Sequence, residues 1–286
     1  MPTPKRPQTQ QWLVQGNERG ALLLDFLVDK TGHTKRQAKR WLDQKIVFVN
    51  GQRVWMAKHI LQPRDRVEFT LPLETHPSAS SSTITIPILY RDTHYLIADK
   101  PPTLVTNQSP DSLEAVLSRQ EGPVHAVHRL DRETSGCILF ARTQEAKDRM
   151  IELFHDRAVL KVYRAIVLGS FPPGTQRTLR APIEGKPAVT HLRVIRGGPL
   201  ASHLELRLET GRTHQIRRHL LTLPSGLVGD KQYGHKHIDQ PELRKAARHM
   251  LHAIRLSFPH PYLEKTVEVT SPLPPDYKAC LKALRL

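Results

Sequence analysis

The run Cys137-Ile138-Leu139-Phe140-Ala141 constrains the fold more than any other stretch of this chain. Five apolar residues in succession suit a β-strand covered on both faces, which needs a layer of structure on either side of it. The segment that feeds this strand is His128-Arg129-Leu130-Asp131-Arg132-Glu133-Thr134-Ser135-Gly136. Gly136 and the small hydroxyl residues before it suit a tight turn. Asp131 has an arginine close by on each side, and flanking cations keep a carboxylate ionised, as a nucleophile or base must be. Taken alone, an aspartate among arginines is more often a structural ion pair than a catalyst.

The 286 residues suffice for one large and one small domain. Lysine and arginine total 43 against 27 acids, a formal charge of +16. Such an excess calls for a polyanionic partner, because each phosphate contact releases condensed counterions. Nucleic acid is the first candidate and an anionic membrane surface the second. No stretch approaches the roughly 20 apolar residues of a spanning helix, which argues against the membrane. The two cysteines, Cys137 and Cys280, have no metal-type neighbours, so a reduced cytoplasmic protein is expected. Residues 1–12 are polar and carry no secretory apolar core, and disorder is expected there.

Residues 13–73 read as a first unit. Leu22, Leu23, Phe26 and Leu27 have helical spacing. Thr34 is placed to cap a helix over 35–42, in which Ala38, Trp41 and Leu42 share one stripe while Lys35, Arg36, Lys39 and Arg40 form a basic face. A basic helix face is usually a solvated surface. An alternating hairpin follows around Asn50-Gly51, and 64–69 closes the unit. Residues 1–73 hold 13 basic and 6 acidic residues, a net +7.

The Ser-rich stretch 74–82 reads as a linker, and 83–286 as a second domain. Two strands joined by a turn are expected over 88–92 and 95–100. Thr143 should cap a helix to His155 whose inner face carries Ala146, Met150, Leu153 and Phe154. A strand is expected over 160–168, containing Tyr163, and another over 203–209. After it comes Thr210-Gly211-Arg212-Thr213-His214-Gln215-Ile216-Arg217-Arg218-His219-Leu220, then Gly229-Asp230-Lys231-Gln232-Tyr233-Gly234 and Leu251-His252-Ala253.

Several of these segments carry a resemblance. The loop at 128–136 resembles the signature H-R-L-D-x-x-T-S-G of the RluA-type pseudouridine synthases. The segment at 161–169 resembles their K-x-Y-x-A-x-V-x-G, and 210–220 their T-G-R-T-H-Q-I-R-x-H-L. The later Gly229 and Leu251 segments are similar to the family's G-D-x-x-Y-G and L-H-A, and 88–101 to its opening segment, although Val105-Thr106-Asn107 stands where the family usually has His-Pro. Residues 13–73 resemble the S4 RNA-binding domain in the order of basic helix and V-x-V-N-G hairpin.

The resemblance implies an α+β fold, a mixed and largely antiparallel sheet with a cleft across its middle, preceded by the S4-like unit. It implies isomerisation of uridine to pseudouridine in RNA, with ribosomal large-subunit RNA favoured over transfer RNA and no cofactor. Asp131 would act at C1′ of the ribose, as carboxylates do in glycoside hydrolysis. Arg217 would pair with Asp131, and Tyr163 would stack on the target ring and assist at C5. Arg129 would enter the space left by the flipped uridine, and Arg212 and His214 would meet substrate phosphates. Lys35, Arg36, Lys39 and Arg40 would dock structured RNA. A monomer is expected.

Three other readings compete. The pairs His235-x-His237 and His249-x-x-His252 lack the cysteine or carboxylate that would complete a metal set. Ser135 near His128 and Asp131 lacks a nucleophile elbow. A non-catalytic RNA-binding protein or RNA chaperone would share the charge and the S4-like unit, but would not need the set Asp131, Tyr163 and Arg217.

Overall fold

The computed structural model describes residues 9–43, 46–70, 84–223, 225–234 and 241–286. The chain divides into two compact units, 1–83 and 84–286. In the smaller, β1 (Thr9–Leu13), α1 (Leu23–Thr31), α2 (Lys35–Asp43), β2 (Val47–Val49), β3 (Gln52–Arg53) and β4 (Arg66–Thr70) form a four-stranded sheet of order β1-β4-β2-β3 with two helices. Asn50 and Gly51 both have positive φ, 51° and 77°, the backbone a two-residue hairpin needs to follow strand twist. Thr34 Oγ1 accepts the Gln37 N–H at 3.3 Å, capping α2. Ala38, Trp41 and Leu42 then bury against Phe26, Leu27 and Phe69.

One expectation fails here. Residues 9–12, read as disordered, belong to β1, which pairs in antiparallel register with β4 from Thr9↔Thr70 to Leu13↔Arg66. The pairing gives their backbone groups partners, and Trp12 packs on the core of the unit. Residues 1–8 and the linker 74–82 lie outside the described residues.

The larger unit is α+β. Its strands are β5 (Ile88–Arg91), β6 (Tyr95–Lys100), β7 (His125–Ala126), β8 (Ser135–Ala141), β9 (Leu160–Leu168), β10 (Gln176–Leu179), β11 (Thr190–Gly197), β12 (Ala201–Leu208), β13 (Leu251–Pro259) and β14 (Thr266–Thr270). Its helices are α3 (Leu113–Glu121), α4 (Gln144–His155), α5 (Gln215–Leu220), α6 (Pro241–Arg244) and α7 (Pro275–Ala283). One sheet runs β10-β11-β12-β9-β13-β8-β6-β5, with β14 beside β13 and β7 beside β8. The described pairings are antiparallel except β13 with β8.

All seven residues of β8 are buried, and they alternate between two cores. Ile138 and Phe140 pack with Leu113 and Leu117 of α3 on one side. Cys137, Leu139 and Ala141 pack with Ala146 and Met150 of α4 on the other. Full burial of a leucine or phenylalanine contributes about 1.5–3 kcal/mol, so this strand anchors both layers. Gly136 differs from its expected role. It lies inside β8 with φ +110°, and an added Cβ would stand 2.2 Å from the carbonyl oxygen of Ala253 on β13. It is glycine because a parallel strand passes against its backbone, not because the chain turns. Among the described residues, no helix is long and apolar enough to cross a membrane.

Candidate active site

The loop between β7 and β8 carries Asp131, and its neighbours hold it from several directions. Lys100, at the end of β6, is fully buried and donates one proton each to the carbonyl oxygens of Pro101 (3.0 Å), Arg132 (2.9 Å) and Thr134 (2.8 Å). Burial, and then the charge of Arg248, pull its ammonium down to about 7. Thr106 Oγ1 accepts the Leu130 N–H at 3.2 Å and donates to the Leu130 carbonyl at 3.1 Å. The Arg248 guanidinium donates to the Glu133 carbonyl at 2.9 Å while it pairs with both oxygens of Asp276 on α7, at 2.7 and 3.1 Å. His249 joins Thr134 Oγ1 at 2.8 Å through Nε2. Burial and then Arg217 bring His249 down to about 4, so it is neutral at pH 7.

The short helix α5 presents Arg217. It begins at His214, which has a left-handed backbone (φ 54°). The Gln215 amide holds that start by using both ends. Its oxygen accepts from Arg212 N–H (2.9 Å) and Thr210 Oγ1 (2.8 Å), and its nitrogen donates to Val189 O and Thr190 Oγ1, both at 3.0 Å. His219 Nε2 faces the Ala181 carbonyl at 2.8 Å and so carries the proton, leaving Nδ1 to accept from Thr190 Oγ1 at 2.9 Å. Much of the conspicuous motif at 210–220 is therefore scaffold.

Arg217, 8 % exposed by side chain, stands between two carboxylates. Nη1 donates to Asp131 Oδ2 at 3.2 Å. Nε and Nη2 donate to Asp230 Oδ2 and Oδ1 at 2.6 and 2.9 Å, and the guanidinium lies 4.8 Å from the centre of the Tyr233 ring. His214 Nε2 is 3.8 Å from the other oxygen of Asp131, while its Nδ1 meets Tyr233 Oη at 3.1 Å. Burial pushes Asp230 upward, but the bonds from Arg217 and from the backbone of Tyr233 and Gln232 outweigh it and hold the carboxyl below its ordinary range. Tyr163 on β9 is buried beside this group. Burial, and then the Asp131 charge, push its phenol up, so it stays protonated.

A cavity of about 110 Å³ brings together Arg129, Asp131, Tyr163, Arg212, His214 and Arg217. Arg129 and Arg212 are exposed, and Arg212 Nε donates to the Pro187 carbonyl at 3.2 Å. His128 is structural: Nε2 accepts the Leu139 N–H at 3.0 Å, and burial followed by Lys161 drops it to about 3. Ser135 is buried against His252 Nδ1 at 3.0 Å, away from any reagent. Lys35 and Lys39 lie on α2 of the smaller unit, exposed, with Lys35 paired to Asp25 at 2.7 Å. The side chains of Arg36 and Arg40, and the pair His235 and His237, lie outside the described residues. No cluster of three potential metal ligands occurs among the described residues.

Sequence reading missed four residues of this arrangement, Asp230, Lys100, Thr106 and Arg248. Asp230 and Lys100 sit in segments that drew notice for other reasons, and Thr106 falls where the chain departs from the family pattern. Arg248 had no local signal.

Comparison with known proteins bears on this geometry. A family profile described as RNA pseudouridylate synthase matches residues 94–222. The ribosomal large subunit pseudouridine synthase D of Xanthomonas campestris pv. campestris is 33% identical over 285 residues, spanning 88% of this chain and 85% of that protein. The enzyme of the same description from Nitrosomonas europaea is 34% identical, over 88% of this chain and 80% of its own. The solved structure of human RNA pseudouridylate synthase domain containing 1 superposes with a TM-score of 0.59 at 28% identity, covering 70% of this chain and 89% of that one.

Proposed function

We propose, since this chain belongs to the RNA pseudouridylate synthase family and isomerises uridine to pseudouridine in RNA, that its target lies in large-subunit ribosomal RNA and that Asp131 is the residue acting at C1′. The observation that carries the residue assignment is the Asp131–Arg217 pair at 3.2 Å in a cavity it shares with Tyr163. The substrate assignment rests on the relatives, which are described as ribosomal large subunit enzymes.

The reaction breaks the N1–C1′ bond, turns the base and joins C5 to C1′, with loss of the C5 proton. It adds no atom and moves no electron to a partner, so the chain needs only to position and to polarise. The Asp131 carboxylate serves either attack at C1′ or removal of a ribose proton, and the bond from Arg217 Nη1 orients it in both. Tyr163, with its phenol held protonated, suits stacking on the base better than taking the C5 proton. Arg129 at the rim suits filling the stack that the uridine leaves, an extrusion costing a few kcal/mol. The smaller unit, with Lys35 and Lys39 exposed on α2, acts as the S4-like docking module through phosphates.

The test uses an unmodified large-subunit ribosomal RNA transcript carrying tritium at C5 of uridine. Wild type should release tritium and Asp131→Asn should not, while still folding and binding the transcript. Release from transfer RNA alone would overturn the substrate assignment, and turnover by Asp131→Asn the residue assignment. Mapping pseudouridines with and without the gene identifies the position.

A further inference from the structure

We propose that Lys161 anchors a phosphate subsite in a second hollow opening off the cleft, where it takes a phosphodiester of the RNA strand next to the target uridine. The strand's presence rests on the synthase reading. The hollow, of about 550 Å³, shares Arg129, Tyr163 and Arg212 with the catalytic cavity and continues past Arg157 and Phe154. Lys161 and Tyr163 are two residues apart on β9, so both face this side of the sheet, roughly 6.6 Å apart along the strand. One contacts the base cavity and the other the hollow beside it.

Four cations, Arg129, Arg157, Lys161 and Arg212, line the hollow against a single carboxylate, Glu209. That carboxylate is already engaged, by His191 Nε2 at 2.6 Å and Arg157 Nη1 at 3.4 Å. Lys161 is different in kind from the exposed arginines. It is 7 % exposed, and its ammonium has neither a hydrogen bond nor an ion pair among the described residues. Its one polar contact is with the Phe154 ring, whose centre is 5.3 Å from Nζ. Burial pulls its pKa down.

The Phe154 ring packs against the lysine but offers its ammonium no hydrogen-bond acceptor. Among the described residues no side chain supplies one, so Nζ meets only the solvent of the hollow it lines. His128 gives no relief, since its Nε2 lone pair already accepts the Leu139 N–H and the neutral ring then offers no second acceptor. What the ammonium lacks is an anionic oxygen acceptor, and the hollow that it lines is open to solvent and wide enough to hold one. In an enzyme acting on RNA, that acceptor is a backbone phosphate. A base edge offers weaker acceptors and no charge.

The test compares full-length wild type, Lys161→Met and Lys161→Arg on the unmodified, tritium-labelled large-subunit transcript. For Lys161→Met, KM should rise and the slope of log affinity against log salt should become shallower by about 0.7–0.9, the loss of one phosphate contact. Lys161→Arg should restore the slope. The Tm of Lys161→Met should equal or exceed that of wild type, because the ammonium makes no hydrogen bond or ion pair within the fold among the described residues. A wild-type slope and KM in Lys161→Met would overturn the subsite. A lowered Tm in Lys161→Met would also overturn it, since the lysine would then be serving the fold. If wild type released no tritium, the synthase reading on this RNA would fail, while the salt slope from filter binding would still decide Lys161.

Discussion

Asp230→Asn separates the support of the Asp131–Arg217 pair from the pair itself. The Asp230 side chain is 1 % exposed and accepts four hydrogen bonds, two from Arg217 and two from the backbone N–H groups of Gln232 and Tyr233. Asparagine has the same size, but it is neutral and turns one acceptor oxygen into a donor amide. Whichever way that amide points, it opposes an N–H donor. Removing one partner of a buried pair costs about 3–5 kcal/mol, because the other charge is left uncompensated. Here Asp131 remains 3.2 Å from Arg217 and supplies part of the missing countercharge, so the loss should fall near the lower end, about 3 kcal/mol. Tritium release should fall on the order of 100-fold in kcat, the effect of misplacing a catalytic group by about 1 Å.

The same substitution has a pH signature. A carboxyl whose folded pKa is depressed adds stability that is complete above its unfolded value and is lost as pH falls through the folded value. The gap between wild type and Asp230→Asn should be full at neutral pH and should narrow below about pH 4. Urea unfolding followed by circular dichroism measures it. Tryptophan fluorescence follows the smaller unit, because Trp12, Trp41 and Trp55 are the only tryptophans and all lie in residues 1–83. A neutral-pH gap below about 1 kcal/mol, or one unchanged in acid, would refute the claim that Asp230 is the buried counter-ion of Arg217.

Arg217→Lys should fold but lose most tritium release, because an ammonium cannot fork between two carboxylates. Gly136→Ala should lose about 2–6 kcal/mol in urea unfolding, from positive-φ strain and collision with the Ala253 backbone. Replacing Lys35 and Lys39 together by glutamine should make the salt dependence of transcript binding shallower by about 1.4–1.8, for two phosphate contacts. Turnover should persist in EDTA, since no step uses a metal.

Some of this was legible from residues alone. Period and composition identified β8 as covered on both faces, and the cap at Thr143 and the Asn50-Gly51 hairpin follow from local chemistry that survives any tertiary context. The proximity of Arg217 to Asp131, 86 residues apart, came only through the resemblance. Lys100 and Arg248 stayed hidden because their partners are largely backbone carbonyls, which every residue possesses and no motif marks. β1 was missed because a polar stretch such as Thr9-Gln10-Gln11 becomes a strand only when β4 offers it an edge. Gly136 was assigned to the wrong cause for a related reason: the strand that demands it lies more than 100 residues downstream.

The bond from Arg248 to the Glu133 carbonyl depends on Asp276, which lies ten residues from the last residue of the chain. The loop that carries Asp131 is translated well before α7, yet one of its clamps cannot close until α7 has been made and has docked. A ribosome-bound chain that already displays His128 to Gly136 thus holds the loop through upstream residues such as Lys100, Thr103 and Thr106, and not yet through Arg248. The clamp on that side waits for α7, and a premature stop before Asp276 would yield a loop whose carboxylate is present but unclamped there.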